Sequence, residues 1–126
     1  IKDFPDAEFI LTDNPLSVLQ KWAAYHRQQF NIPLLGITGS NGKTIIKEWL
    51  YQLLHQDYFI VKSPKSYNSQ LGVPLSVLQM QPAHQLAVFE AGISLPGEME
   101  KLETVISPTL GIFTNIGSAH NEGFNS

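Results

Sequence analysis

The chain has no cysteine among its 126 residues. Disulfide scaffolds, thiolate metal sites and a cysteine nucleophile are excluded together, and the absence suits a reducing compartment such as the cytoplasm. Charge is scarce, at 15% of residues, and 8 basic against 11 acidic side chains leave a net charge of −3. No basic excess exists to hold a nucleic-acid backbone. No apolar run approaches the roughly 20 residues of a membrane-spanning helix, no signal-peptide pattern opens the chain, and neither repeats nor low-complexity segments occur. What remains is 43% hydrophobic, which describes one globular domain with a modest core. The chain opens at Ile1-Lys2-Asp3 and closes at Gly123-Phe124-Asn125-Ser126. Both ends read as cuts, making this a fragment of a larger multidomain enzyme.

What is present is concentrated in Leu34-Leu35-Gly36-Ile37-Thr38-Gly39-Ser40-Asn41-Gly42-Lys43-Thr44. An apolar run meets a glycine-rich turn ending in Gly-Lys-Thr, and an amphipathic segment follows. A strand that delivers such a loop to a helix N-terminus turns backbone N–H groups and the helix dipole toward an anion. Gly39, Ser40, Asn41, Gly42, Lys43 and Thr44 are the candidate phosphate cradle of a nucleotide. Lys43 would reach the β- and γ-phosphates and Thr44 would sit on Mg²⁺. The common spacing places a glycine where this chain has Ile37, so a chance glycine turn beside a lysine is the competing reading.

The remaining elements are read from apolar patterning. Phe9 to Thr12 is a short strand. Asn14-Pro15 supplies an N-cap and first helical position, and Leu16, Leu19, Trp22, Ala23, His26 and Phe30 follow at helical spacing until Asn31-Ile32-Pro33. Leu34 to Thr38 is a strand. A helix runs from about Lys43 to Gln56, with Ile45, Ile46, Trp49, Leu50, Leu53 and Leu54 on one face. Strands at Tyr58 to Val61, Leu86 to Phe89 and Thr109 to Thr114 come next, with a short helix over Pro74 to Gln79. Another helix starts around Ser94, Pro96, Glu98 and Glu100. Apolar strands alternating with helices predict an α/β fold, a P-loop NTPase-like, mostly parallel sheet with helices on both faces. Ligands of such sheets bind beyond the carboxyl ends of the strands.

Each strand end carries chemistry. Glu90 closes an apolar strand, where a phosphate-loop enzyme places a carboxylate to help hold Mg²⁺; otherwise it is an acid leaving the core. Lys62, Lys65, Tyr67, Asn68 and Ser69 form a basic, amide-bearing loop that meets an anionic substrate or simply faces water. Asn115 either recognises an adenine edge or is a turn residue before Gly117. His120 follows the last strand; imidazole is not a typical magnesium ligand, so on chemistry alone it is an ordinary loop residue as readily as a metal ligand. His26, His55 and His84 lie away from this edge.

Taken together, these residues resemble the ATP-binding central domain of the Mur ligases, which form amide bonds in the cytoplasmic precursor of bacterial peptidoglycan. The resemblance rests on Gly36 to Thr44, Glu90-Ala91-Gly92 and Thr114-Asn115-Ile116-Gly117-Ser118-Ala119-His120, and covers roughly Leu34 to Glu122. The family shares the shifted glycines. Ser66-Tyr67-Asn68-Ser69-Gln70-Leu71-Gly72-Val73-Pro74-Leu75-Ser76-Val77-Leu78 and Gly97-Glu98-Met99 are most similar to its D-alanyl-D-alanine-adding members. Ser63 to Asn68 is similar to a subgroup of these fused to an alanine racemase.

The resemblance implies ATP and Mg²⁺, with Lys43 on the phosphates, Thr44, Glu90 and His120 around metal, and Asn115 at the adenine. It places Asn68 and Ser69 near the substrate. It implies that UDP-N-acetylmuramoyl tripeptide and D-Ala-D-Ala are joined through an acyl phosphate, with Lys43, Glu90 and His120 as the catalytic set. Residues 1–30 would be the junction from an N-terminal substrate domain and residues 31–126 part of the central ATP-binding domain, with N- and C-terminal domains of the same chain elsewhere. The alternatives are another Mur or folylpolyglutamate-type ligase, or a P-loop nucleotide-binding regulatory module.

Overall fold

The computed structural model describes residues 6–92 and 97–115. Their elements are α1 (Pro15–Gln28), β1 (Leu34–Thr38), α2 (Lys43–Leu54), β2 (Ile60–Lys62), α3 (Gly72–Val77), β3 (Leu86–Glu90), α4 (Glu98–Ile106) and β4 (Leu110–Phe113). The four strands form one sheet in the order β2-β3-β1-β4, and every pairing is parallel.

That order fixes which face each helix covers. Parallel crossovers are right-handed almost without exception. From β1 the chain crosses through α2 to β2 in one direction, then returns through α3 and α4 in the other. α2 must therefore lie on one face and α3 and α4 on the opposite one, and the two cores show this. Val73 and Val77 of α3 and Leu102, Val105 and Ile106 of α4 join Leu34, Val61, Ala87 and Phe89, with Ala23 of α1. Ile46, Leu50, Tyr51 and Leu54 of α2 cover Ile37, Ile60, Leu86 and Val88. Alternation along β1 and β3 sends successive side chains to the two cores.

α1 begins as its sequence dictates. The Asn14 side chain accepts from the Ser17 N–H at 3.1 Å, with Pro15 inside the first turn. Its far end is tied to α4 by buried Arg27, whose Nε donates to the Ile106 carbonyl at 2.7 Å and whose Nη2 donates to that of Ser107 at 3.1 Å. The guanidinium thus meets carbonyls that a helix end leaves without intrahelical partners.

Three expectations need correction. Phe9 to Thr12 is not a strand: Ile10 and Leu11 are exposed, and the segment pairs with none of the four strands. The strand expected at Tyr58 to Val61 begins only at Ile60, because Tyr58 and Phe59 lie outside the sheet register and are half exposed. On α2, the six apolar positions do not share one buried face. Ile45, Trp49 and Leu53 are exposed, while the fully or nearly buried residues are Lys43 and Lys47. At 3.6 residues per turn those six positions span too wide an arc for one sheet face to cover. Of the helix start expected at residues 94–100, Ser94 and Pro96 lie outside the described residues, while Glu98 and Glu100 do occupy the first turn of α4.

Candidate functional site

β1 and β3 are neighbours, with Ile37 in register with Glu90. The loop after β1 and the carboxylate at the tip of β3 are therefore brought side by side at the carboxyl edge of the sheet. The loop turns through two glycines at positive φ, Gly39 at +128° and Gly42 at +87°, which only glycine adopts freely. A Cβ at Gly39 would also collide with the Thr114 hydroxyl and crowd the Asn115 backbone. Gly42 is the N-cap of α2 and offers no capping side chain, so the helix meets the loop with its first N–H groups uncapped by side chains. A negatively charged group suits that position.

Glu90 is fully buried yet has a donor on each oxygen. The Thr44 hydroxyl lies 3.0 and 3.1 Å from its two oxygens, the Asn68 amide donates to Oε1 at 3.3 Å, and the Lys47 ammonium sits 2.8 Å from Oε2. Its backbone N–H donates to Ser63 Oγ at 2.9 Å. The geometry needs this shell, because a carboxylate taken out of water loses several kcal/mol unless it is paired and hydrogen-bonded. Lys43 is also nearly buried and donates to the Gly39 carbonyl at 2.5 Å, which holds its ammonium inside the curl of the loop.

Asn115 is placed against the loop. Its carbonyl accepts from the Ser40 N–H at 2.8 Å and its side-chain oxygen accepts from the Asn41 N–H at 3.1 Å. Thr114, the residue before it, extends the β1 pairing by donating its N–H to the Thr38 carbonyl. Ser69 caps the first turn of α3, accepting from the Gly72 N–H at 2.9 Å, while the Asn68 carbonyl receives the Gly92 N–H at 2.5 Å. Lys62 lies off this edge, paired with Glu48 at 2.5 Å and 4.4 Å above the Tyr51 ring. Of the other histidines, His26 bonds the Met80 carbonyl, His55 stacks on Tyr51, and His84 packs against Phe59 with its ring tilted. His120 and its neighbours from Ile116 onward lie outside the described residues.

The donor set fits the expected ligands. A hydroxyl and a carboxylate in mutual contact beside a phosphate cradle are the hard oxygens that Mg²⁺ takes alongside phosphate. The loop's positive-φ glycines and buried lysine suit a triphosphate. Among the described residues no group of three or more His, Cys, Asp or Glu side chains is assembled to hold a metal without such help.

Sequence reasoning missed Lys47. The signal was available: Lys47 is one turn beyond Lys43 and three residues beyond Thr44, on the side of α2 that these two turn to the sheet. A cation there must meet an acid, and Glu90 closes the strand beneath it. Ser63 was missed too, since nothing in a polar loop marks which hydroxyl will receive a strand-end N–H.

Fold and site together define a phosphate-loop nucleotide-binding domain of the parallel α/β class. Residues 37–126 match the Mur ligase middle domain, and the chain belongs to the Mur ligase family. It is 40% identical over 116 residues to the UDP-N-acetylmuramoyl-tripeptide–D-alanyl-D-alanine ligase of Borreliella burgdorferi, covering 92% of this chain and 25% of that protein. The Bacillus subtilis protein of the same name is 36% identical over 117 residues, 93% of this chain and 26% of its own length. Among solved structures, MurF from Acinetobacter baumannii superposes with a TM-score of 0.87 at 31% identity, covering 96% of this chain and 27% of that one. MurF ligase from Thermotoga maritima in complex with ADP gives 0.82 at 32% identity, covering 93% and 27%. The chain spans about a quarter of the length of these relatives.

Proposed function

We propose that the complete protein is an ATP-dependent ligase that joins D-Ala-D-Ala to UDP-N-acetylmuramoyl tripeptide during cytoplasmic synthesis of the peptidoglycan precursor. The observation that carries this reading is the convergence of Lys43, Thr44 and buried Glu90 at one sheet edge, in a family whose similar members bear that ligase's name. No helix among the described residues is long and apolar enough to cross a membrane.

In this reading residues 1–30 lead in from an N-terminal domain that grips the UDP moiety, and residues 31–126 form part of the central domain. A C-terminal domain of the same chain closes over ATP. Gly39 to Thr44 wrap the β- and γ-phosphates through backbone N–H groups, and Lys43 exchanges the Gly39 carbonyl for phosphate oxygen. Thr44 and Glu90 would hold Mg²⁺ and His120 would help hold a second, and the bound metal would offset charge on the transferring phosphoryl group. Asn115 serves the nucleotide end, at the adenine or through its hold on the loop. Asn68 and Ser69 face the nucleotide-sugar peptide.

The chemistry balances without a protein nucleophile. An oxygen of the tripeptide carboxylate attacks the γ-phosphorus in line as the bond to ADP breaks, giving an acyl phosphate. The amine of D-Ala-D-Ala then attacks the carbonyl carbon, phosphate leaves with the bonding pair, and the amine gives up a proton. Lys43 and the loop dipoles contribute by being in place where negative charge moves. The complete protein should release phosphate from ATP only with both UDP-N-acetylmuramoyl tripeptide and D-Ala-D-Ala present. Release that ignores either one, or that needs folate and glutamate instead, rejects the assignment.

A further inference from the structure

Lys47 has no part in the reaction just described, yet its side chain is fully buried. An ammonium out of water is tolerated only with close partners. Its partners belong to two different structures. One is Glu90, 2.8 Å away. Another is the backbone carbonyl of Lys65, to which Nζ donates, with a Glu48 oxygen at 3.6 Å as a third. Lys65 sits at φ +49°, a left-handed conformation that a non-glycine residue holds only when something fixes it. The same loop carries Asn68, which reaches Glu90 Oε1 from the other side and binds the Gly92 N–H through its carbonyl. Loop 63–70 is thus tied to the Glu90 carboxylate twice, once through Lys47 and once through Asn68, besides the bond from the Glu90 N–H to Ser63 Oγ.

We propose that Lys47 is a positioning residue that couples the charge at Glu90 to the conformation of the 63–70 loop, so that filling the metal position and binding the tripeptide substrate assist each other. A divalent cation beside Glu90 competes with Lys47 for that carboxylate. The ammonium then bears more strongly on the Lys65 carbonyl and Glu48, and the loop that presents Asn68 and Ser69 is held more firmly. Coupling of this kind is reciprocal: tripeptide on the loop must tighten the cation by the same factor. The inference rests on the ligase reading, because it uses that reading's metal and substrate.

The test uses the complete protein as wild type, Lys47→Met and Lys47→Arg. Binding of fluorescently labelled ADP is titrated with Mg²⁺, with and without UDP-N-acetylmuramoyl tripeptide, and amide exchange is read over the 63–70 loop. In the wild type the tripeptide should lower the Mg²⁺ concentration for half-saturation by about fivefold or more, the usual range for coupled sites. Lys47→Met should reduce that factor to near one and speed exchange in the 63–70 loop, leaving α1 and α4 protected. Lys47→Arg, which keeps the charge, should restore part of the factor. A wild-type factor below about twofold overturns the proposal whatever the variants do. So does a Lys47→Met factor equal to that of wild type, or a loss accompanied by faster exchange throughout α1 and α4. Phosphate release by the wild type, followed in parallel, reports on the ligase reading separately.

Discussion

The two faces of the sheet are built on different physics. Beneath α3 and α4 the contact is apolar: Phe89, Leu102, Val73 and Val77 are fully buried against one another. Beneath α2 a comparable apolar patch covers Ile37 and Val88, but toward the carboxyl edge it gives way to Lys43, Lys47 and Glu90, all buried. Phe89 and Glu90 are consecutive on β3 and point to opposite sides. One face stabilises the domain by removing hydrocarbon from water. The other gives up some of that stabilisation to keep charged groups dry, where their fields are strongest. A nucleotide-binding edge is thus recognisable as the place where a parallel sheet stops being apolar.

The comparison can be broken at each of these residues in the complete protein. Phe89→Ala should cost about 3–5 kcal/mol of stability through lost transfer energy and the cavity left behind. Denaturant unfolding reads that loss, and labelled-ADP affinity of the folded protein should stay at the wild-type value. Glu90→Gln removes little volume but takes from the Lys47 ammonium its nearer and fully buried counter-ion. A loss of about 3 kcal/mol is expected from breaking a buried pair on one side, this time together with a weakened Mg²⁺ dependence of nucleotide binding. If Glu90→Gln unfolds like wild type, the second face is not the charged structure described here.

Lys43→Ala should lower ATP affinity by about 100-fold, equivalent to about 2.7 kcal/mol. Calorimetric titration measures it, and the melting temperature should hardly move, since among the described residues the Lys43 ammonium bonds its own loop, at Gly39. The smallest effect belongs to Glu48, at the solvent margin of the same face. The hydrogen bond from Lys62 holds its carboxyl below the usual range. The unfolded chain therefore takes up the proton first, so the pair's stabilisation is present above the ordinary carboxylate pKa and is lost as the pH falls through the folded value. For so exposed a pair, Glu48→Gln should cost under about 1 kcal/mol at neutral pH. The difference from wild type should vanish in acid, as read by melting temperature against pH.

Much of this was legible in the residues. Asn14-Pro15 announces α1 because a side-chain acceptor and a ring without an N–H both serve a helix start. Leu34 to Thr38 and Leu86 to Phe89 read as buried strands because they are apolar without alternation. The phosphate loop could be read because its glycines and lysine are contiguous, so local backbone geometry alone fixes the cradle. Phe9 to Thr12 misled because strand propensity counts only where the segment pairs into a sheet, and this one joins none of the four strands. Lys47 was passed over because a lysine in a helix is ordinarily a solvent-facing residue, and its burial depends on a carboxylate 43 positions away in the chain.

The sequence by itself determined the class of fold, the cradle from Gly39 to Thr44 and the carboxylate that closes β3. These follow from local patterning and from motifs whose members are adjacent in the chain. Tertiary structure decided which side of α2 faces the sheet, that Lys47, Thr44 and Asn68 surround the Glu90 carboxylate, and that Asn115 lies against Ser40 and Asn41. Each depends on parallel strands placing distant segments in register, and register is set by the packing of the whole sheet.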